Sequence, residues 1–142
     1  MNKIATFILA AALPGAALAD GAALFADNCA ACHAEGGVGT PGLAPPLVDA
    51  ELWTRLGPKA PDYIAGVLAS GLTGRITVAG VDYIGLAMPE QTQLSPAEMA
   101  EVASYVLQTL NGLAQPVTEE LTATTLATPP DHAALRKLRK GE

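Results

Sequence analysis

Apolar residues recur at helical spacing in four stretches of the chain. Residues three and four positions apart share one face of a helix, so this spacing predicts four amphipathic helices and an all-α fold. The apolar positions are Ala22, Phe25, Cys29 and Cys32 in the first stretch; Leu52, Trp53 and Leu56 in the second; Tyr63, Ile64, Val67 and Leu68 in the third; and Met99, Val102, Ala103, Val106 and Leu110 in the fourth.

Capping signals indicate where these helices begin and end. Asp20 and Asp49 precede the first two helices as N-caps, and the third begins at Pro61-Asp62 and stops at Gly71. Ser95, Pro96 and Glu98 form a capping box at the start of the fourth. This last helix is predicted to end at Asn111-Gly112.

Two other segments have a different pattern. Ile76–Val78 and Val81–Ile84 flank Ala79-Gly80, which predicts a small β-hairpin. From Leu113 to Pro130 the chain is rich in Thr, Ala, Pro and Glu, which is typical of a linker or a loosely attached tail. Asp131 is then predicted to cap a short basic helix that carries Leu135 and Leu138.

The first nineteen residues are typical of a secretory signal peptide. Lys3 precedes an apolar run from residue 4 to residue 13, and Ala17-Leu18-Ala19 is a small-residue cleavage site. We therefore expect export to the periplasm, a mature chain that begins at Asp20, and no stable membrane span after cleavage. The expected division is a signal peptide (1–19), one domain (20–112) and a C-terminal extension (113–142).

Charge is unevenly distributed along the 142 residues. The formal net charge is −6, and four of the eight basic residues lie together near the C-terminus: Arg136, Lys137, Arg139 and Lys140. The rest of the chain is strongly acidic. This argues against nucleic acid as a partner, because phosphates would be repelled, and it favours partner proteins that have a basic docking surface or that dock through uncharged surface.

Both cysteines of the chain lie in one short motif, Cys29-Ala30-Ala31-Cys32-His33. Two thiols at this spacing, followed directly by a histidine, can attach a haem through two thioether bonds while the imidazole binds the iron. The loop that follows, Glu35 to Pro46, is rich in Gly and Pro and is predicted to wrap around this cofactor.

Three other interpretations compete with haem attachment. A four-ligand zinc site would need a second ligand pair, and the only other histidine is the distant His132. A thioredoxin-type dithiol would need a βαβ context, whereas the surroundings here are helical and glycine-rich. The remaining alternative is a chance match to a five-residue pattern.

The chain resembles class I cytochrome c from about Gly21 to Gly112. The resemblance rests on Gly21, Phe25 and the cysteine motif at the family's spacing, on Pro45-Pro46-Leu47, and on Tyr105. It implies N- and C-terminal helices packed around one covalently bound haem c, with the hairpin before a methionine loop. It also implies that the Pro45 carbonyl accepts from the ring of His33, that Phe25 belongs to the cofactor site, and that Tyr105 crosses the first helix near Gly21. The family's many surface lysines are missing, and the extension after Gly112 is additional.

The resemblance further implies a methionine as the second axial ligand, and three methionines are available. Met1 belongs to the expected signal peptide, and Met99 lies on the apolar face of a helix, where core packing explains it better. Met88 lies in a loop of small residues before Pro89, so it is preferred over Met99 and over His132. The predicted iron ligands are therefore His33 and Met88.

Two closed axial positions leave no iron site for a substrate, so an electron carrier is favoured over an enzyme. The leading hypothesis is a diffusible carrier between a dehydrogenase and a terminal acceptor. One alternative is a haem subunit that is tightly bound to a periplasmic oxidoreductase, and another is an enzyme or gas sensor with an open iron. Trp53 and Tyr63 are predicted as core aromatics rather than haem-propionate partners, whereas for Arg75 a propionate and solvent are equally favoured; His132 is expected in solvent.

Overall fold

The computed structural model describes residues 20–142, and the expected signal peptide lies outside them. In this part of the chain, no helix combines the length and apolar character that crossing a membrane requires. The elements follow in the order α1 (Gly21–Asn28), α2 (Ala30–His33), α3 (Ala50–Leu56), α4 (Ala60–Ser70), β1 (Leu72–Thr73), β2 (Ile76–Val78), β3 (Val81–Tyr83), β4 (Ala87–Met88), α5 (Pro96–Ser104), α6 (Glu119–Ala127) and α7 (His132–Lys140).

Helices α1 and α5 begin where the capping signals placed them. The Asp20 carboxylate accepts from the backbone N–H of Ala22, and Ser95 and Glu98 form the reciprocal capping box. The two helices cross at Gly21, where a Cβ atom would lie 2.7 Å from the Glu101 carbonyl oxygen and 2.9 Å from the Tyr105 Cβ. Only glycine permits this approach, so the predicted crossing of Gly21 and Tyr105 is confirmed.

The helical segment that begins at Pro96 ends at Asn111, as predicted, but it is not an α-helix over its whole length. The α-helix ends at Ser104, and Tyr105–Leu110 continue as a π-helix. The apolar spacing did not reveal this change, because Val106 and Leu110 are four positions apart and remain close in the wider π turn as well. The Asn111 side chain ends the segment by donating to the carbonyls of Val106 and Leu47 and accepting from the backbone N–H of Asp49.

Helices α3 and α4 form the opposite side of the core. Asp49 caps α3 by accepting from the backbone N–H of Leu52, and α4 ends at Gly71, as predicted. Strands β2 and β3 pair antiparallel at the positions predicted for a hairpin. A second antiparallel pair, β1 with β4, joins the end of α4 to the segment that carries Met88.

The predicted linker between residues 113 and 130 contains a helix that is packed into the fold. Thr122 of α6 is only 1% exposed, and its hydroxyl donates to the Pro96 carbonyl at 2.7 Å. The buried Val117 and the hydroxyl of Ser104 add a second attachment, in which the Ser104 hydroxyl accepts from the Val117 N–H at 2.9 Å. The threonine-rich composition misled the prediction, because these hydroxyls are satisfied by helix carbonyls and tolerate burial.

The final helix is confirmed, but its surroundings are not those of a tail. Asp131 caps α7 and Leu135 is buried in the core. His132, expected in solvent, is instead half-buried: its Nε2 donates to the Ser70 carbonyl at 2.9 Å, and its Nδ1 contacts the Thr73 hydroxyl. Both contacts join residues about sixty positions apart, which local sequence patterns do not report.

Candidate functional site

The cysteine motif lies at the junction of α1 and α2. Cys29 closes α1, its N–H donating to the Phe25 carbonyl, and His33 ends the short helix α2. The two thiols are not joined to each other; Cys29 is buried and Cys32 is exposed. Burial, together with the neighbouring Cys32, raises the pKa of the Cys29 thiol to about 11. Because neither sulfur is used in a disulfide, both are available for covalent attachment.

His33 is buried and oriented by one hydrogen bond, which the resemblance had implied. Its Nδ1 lies 2.8 Å from the carbonyl oxygen of Pro45. Because a carbonyl can only accept, Nδ1 carries the proton and Nε2 keeps its lone pair for a metal. Burial lowers the pKa of His33 despite the opposing effect of this hydrogen bond, so the neutral, metal-binding form of the imidazole is favoured.

The glycine-rich loop holds Pro45 in place. Gly39 has a φ of +82°, and a Cβ atom there would lie 2.5 Å from the backbone nitrogen of Pro46. The Gly39 N–H donates to the His33 carbonyl at 2.7 Å, and the Leu47 N–H donates to the Gly37 carbonyl at 2.8 Å. The loop therefore folds back on the cysteine motif from both of its ends.

A largely apolar cavity of about 220 Å³ opens beside this motif. It brings five of the six predicted site residues together, since Cys29, Cys32, His33, Pro45 and Met88 all line it. The other walls come from α3, α4, the β1–β4 region, α5 and the π-helical segment after it, and include Leu52, Trp53, Tyr63, Ile64, Val67, Leu68, Leu72, Leu86, Val102, Ala103 and Val106.

Phe25 is the predicted site residue that does not line the cavity. It is buried behind the cysteine motif, with its ring centroid 5.5 Å from that of Tyr105. Its structural role is to pack α1 against the π-helical segment that continues α5. The two candidate methionines of the described chain differ in their surroundings. Met88 is half-buried and lines the cavity, whereas Met99 is 0% exposed within the core.

Trp53, Tyr63 and Arg75 are the residues considered as possible partners of the haem propionates. Trp53 and Tyr63 are buried and line the cavity, and the Trp53 Nε1 donates to the Leu47 carbonyl at 2.9 Å. They are core aromatics with satisfied polar groups. Arg75 is exposed and forms an ion pair with Asp82 across the hairpin.

Arg139 is a cavity residue that the sequence analysis missed. It lies in α7, its side chain is only 11% exposed, and it is the only lysine or arginine among the described residues that line the cavity. Its Nη1 donates to the Tyr63 hydroxyl at 3.0 Å, and its Nη2 lies 3.7 Å from an Asp49 carboxylate oxygen. The sequence held one weak signal for it, the cluster of four basic residues around Leu135 and Leu138.

A zinc site gains no support from these residues. Within residues 20–142, no three His, Cys, Asp or Glu side chains are grouped so that they could hold a metal ion. The cysteine motif stands instead beside an apolar cavity with a single oriented imidazole.

Comparison with known proteins gives a consistent result. Residues 18–110 match the sequence model of the cytochrome c family. Two proteins named cytochrome c-552 from Thermus thermophilus are each 40% identical to the chain, over 92 and 90 residues, which cover 63% and 62% of it and 60% and 66% of those proteins. The cbb3-type cytochrome c oxidase subunit CcoP of Cereibacter sphaeroides is 33% identical over 88 residues, or 62% of the chain and 26% of that subunit. The chain thus matches less than two thirds of the length of these relatives.

Proposed function

The chain belongs to the cytochrome c family, whose members bind haem c covalently, and from this premise we propose that it is an exported electron carrier with a single haem. In this proposal Cys29 and Cys32 attach the haem, and His33 and Met88 are its axial ligands. When bound, the haem iron takes up and releases one electron. The expected location is the periplasm, after cleavage at Ala19.

The residues of the cavity are suited to this group. Its apolar walls favour a large flat hydrophobic cofactor, and its two free thiols lie beside a neutral imidazole with an available Nε2. Pro45 fixes the orientation of that imidazole, which keeps the ligand in place when the charge of the iron changes. Arg139 is the one lysine or arginine in the lining within residues 20–142, and it would pair with the acidic groups of haem.

The observation that carries the proposal is that Met88 and His33 line the same apolar cavity as both thiols. A thioether and an imidazole together would close both axial positions, so a small substrate would find no open iron site. Apolar walls also limit rearrangement of water when an electron arrives. These properties favour electron transfer over catalysis at the iron.

The proposed partners are a dehydrogenase and a terminal acceptor that approach the rim of the cavity. Leu86, Ala87 and Pro89 line the cavity near Met88, and the neighbouring Ile84 is 63% exposed. These uncharged side chains would let a partner approach the cofactor closely. The acidic body would act at longer range on a partner with a basic docking surface.

A second function is a haem subunit that stays bound to an oxidoreductase. The similarity to the oxidase subunit CcoP favours this alternative, although it covers only 26% of that subunit. Size-exclusion chromatography of material from the native host separates the two: a carrier elutes alone, whereas a subunit elutes with its partner.

The axial ligation is tested by two matched substitutions, Met88→Leu and Met99→Leu. Both keep the side-chain volume nearly constant, which usually costs less than about 1.5 kcal/mol of stability in a core. We expect Met88→Leu to abolish the sulfur-to-iron charge-transfer band of the oxidised protein, lower the reduction potential and allow cyanide to bind rapidly. Met99→Leu should leave all three properties near those of the wild type. The assignment fails if Met99→Leu has these effects and Met88→Leu does not.

A further inference from the structure

The strand that carries Met88 is held by a very short antiparallel ladder. Leu72 pairs with Met88 and Thr73 pairs with Ala87, so each strand has only two residues. Two isolated strands of ordinary length are already marginal in water, and this pair is shorter still. The position of β4, which carries Met88, must therefore depend on the residues that pack against the β1–β4 pair.

On one side, Met88 meets the end of α4. Gly71 has a φ of +69°, and a Cβ atom there would lie 2.3 Å from the Met88 carbonyl oxygen and 2.9 Å from the Glu90 nitrogen. The Gln91 N–H donates to the Leu68 carbonyl at 2.8 Å just beyond. The backbone around Met88 is thus seated directly against the backbone of the α4 terminus.

On the other side, β1 is held by polar groups of α7. The Arg136 Nη1 donates to the Thr73 carbonyl, and the guanidinium lies against Gly74, where a Cβ atom would come within 2.8 Å of Nη1. The His132 Nδ1 contacts the Thr73 hydroxyl, while its Nε2 donates to the Ser70 carbonyl at 2.9 Å. Three residues of one segment, Ser70, Thr73 and Gly74, are therefore contacted by two side chains of α7.

The hydrogen-bond partners indicate which form of His132 fits this place. The Ser70 carbonyl can only accept, so Nε2 must carry a proton. In the neutral imidazole, Nδ1 then accepts from the Thr73 hydroxyl. The Thr73 carbonyl meanwhile accepts from Arg136, so α7 engages both the hydroxyl and the carbonyl of this residue.

From these contacts we infer that His132 and Arg136 are positioning residues for Met88. They fix Thr73, Thr73 fixes Ala87 across the ladder, and the neighbouring pair Leu72–Met88 is fixed with it. This inference rests on the proposed role of Met88 as an axial ligand. It assigns a function to α7, which lies entirely outside residues 18–110 that match the family.

The physical reason is that a thioether is a neutral, weak ligand. It stays on an iron only if the chain holds its sulfur near the bonding position, because little binding energy is available to order a flexible loop. The fold supplies this order by clamping β1 between α7 and β4. Loss of an α7 contact should therefore increase how often Met88 leaves the iron, without removing any group that touches the cofactor.

The test uses the full-length, haem-loaded protein with Arg136→Gln and Thr73→Val. The first replaces the guanidinium that donates to the Thr73 carbonyl with a shorter, neutral amide, and the second removes the hydroxyl that contacts His132. The readout is the limiting rate of cyanide binding by the oxidised protein at saturating cyanide, which measures how often the Met88 position opens. Loss of one hydrogen bond corresponds to an increase of about tenfold in each variant. Arg136→Lys, which keeps the charge and a donor, should bring the rate back toward that of the wild type.

Two controls separate positioning from general effects. Lys140→Gln makes the same charge change at an exposed site of α7, and Thr122→Val removes a buried hydroxyl bond in α6. Both should leave the limiting rate within about twofold of the wild type, the change expected where no contact to β1 is lost. The inference is overturned if Arg136→Gln and Thr73→Val accelerate cyanide binding no more than these controls do. Failure of the ligation itself has a different signature, since Met88→Leu would then leave the spectrum and the cyanide rate of the wild type unchanged.

Discussion

At the scale of single residues, the site depends on hydrogen bonds that fix the roles of individual side-chain atoms. The Pro45 carbonyl occupies Nδ1 of His33, and this leaves Nε2 as the metal-binding nitrogen. The Tyr63 hydroxyl likewise accepts from Arg139, which places a buried guanidinium at the cavity wall. The charge of this largely buried side chain, 11% exposed, is only weakly screened by solvent, so Arg139 is expected to influence the reduction potential of a redox centre beside it.

The effect of Arg139 on the reduction potential can be measured in a variant in which its acidic neighbour, Asp49, has been replaced by a neutral residue. Asp49→Asn keeps the N-cap of α3, because asparagine caps as well as aspartate. Adding Arg139→Gln to this variant removes the cation and its hydrogen bond to Tyr63 without leaving an unpaired Asp49 carboxylate. We expect a lower reduction potential, since a nearby positive charge disfavours the more positive oxidised centre. Unit charges about 10 Å apart interact by roughly 1.7 kcal/mol at an effective dielectric constant of about 20, which is more than tenfold in the redox equilibrium.

The matched control is Lys140→Gln in the same background, which removes an exposed cation from the same helix. Potentials are measured by spectroelectrochemical titration, with thermal unfolding of each variant as a check on folding. Equal potentials for the Arg139 and Lys140 variants would mean that Arg139 only packs against Tyr63.

At the scale of elements, the C-terminal extension belongs to the same core as the family domain. Helix α6 packs on α5 and α4, and α7 packs on α3, α4 and β1. The contact between α4 and α7 is close at Gly66, where a Cβ atom would lie 2.7 Å from the Leu135 Cδ2 and 2.9 Å from the Pro130 Cγ. Glycine in the middle of α4 is therefore explained by packing rather than by a turn.

Gly66→Ala tests this packing. Alanine improves helix propensity by up to about 1 kcal/mol, but overpacking at a filled contact typically costs about 1–3 kcal/mol, so a net loss of stability is expected. The loss should be smaller in a Leu135→Ala background, where space has been made for the new methyl group. Chemical unfolding of the four members of this double-mutant cycle gives the coupling energy. A coupling energy near zero would contradict a direct contact between α4 and α7 at this point.

At the scale of the whole molecule, the distribution of charge depends on how the basic helix α7 packs onto the acidic remainder of the chain. Removing Lys3 with the expected signal would leave seven basic and fourteen acidic residues, a net charge of −7 for residues 20–142. Two of the four clustered basic residues, Arg136 and Arg139, are engaged inside the fold. The basic cluster therefore folds back onto the body, and it does not form a free cationic tail.

This distribution predicts how the rate of electron transfer depends on salt. An acidic carrier attracts a basic redox protein over a distance that is limited to about 8 Å at physiological ionic strength. We expect the bimolecular rate with a basic partner to fall by about tenfold or more from low to physiological salt. Stopped-flow measurements across a salt series check this, with an acidic redox protein as the control, for which the rate should rise. A rate that rises with salt for the basic partner would refute steering by the acidic body.

The features that the sequence by itself determined are local ones. Asp20, Asp49, Ser95 and Asp131 cap the helices that follow them, because each cap acts on backbone groups within three residues. The cysteine motif is local in the same way, since one helical turn sets the spacing of its three side chains. For the same reason, most of the helices and strands between residues 20 and 112 could be predicted from the sequence.

Only the tertiary structure decided what the extension does. Thr122, His132, Arg136 and Arg139 are ordinary polar residues in the sequence, and each acquires its role from a partner 26 to 76 positions away. A polar residue can be buried when its hydrogen bonds are satisfied, and whether a partner is present depends on how distant segments meet. The composition of residues 113 to 130 therefore predicted a linker, whereas packing against α4 and α5 made this segment part of the core.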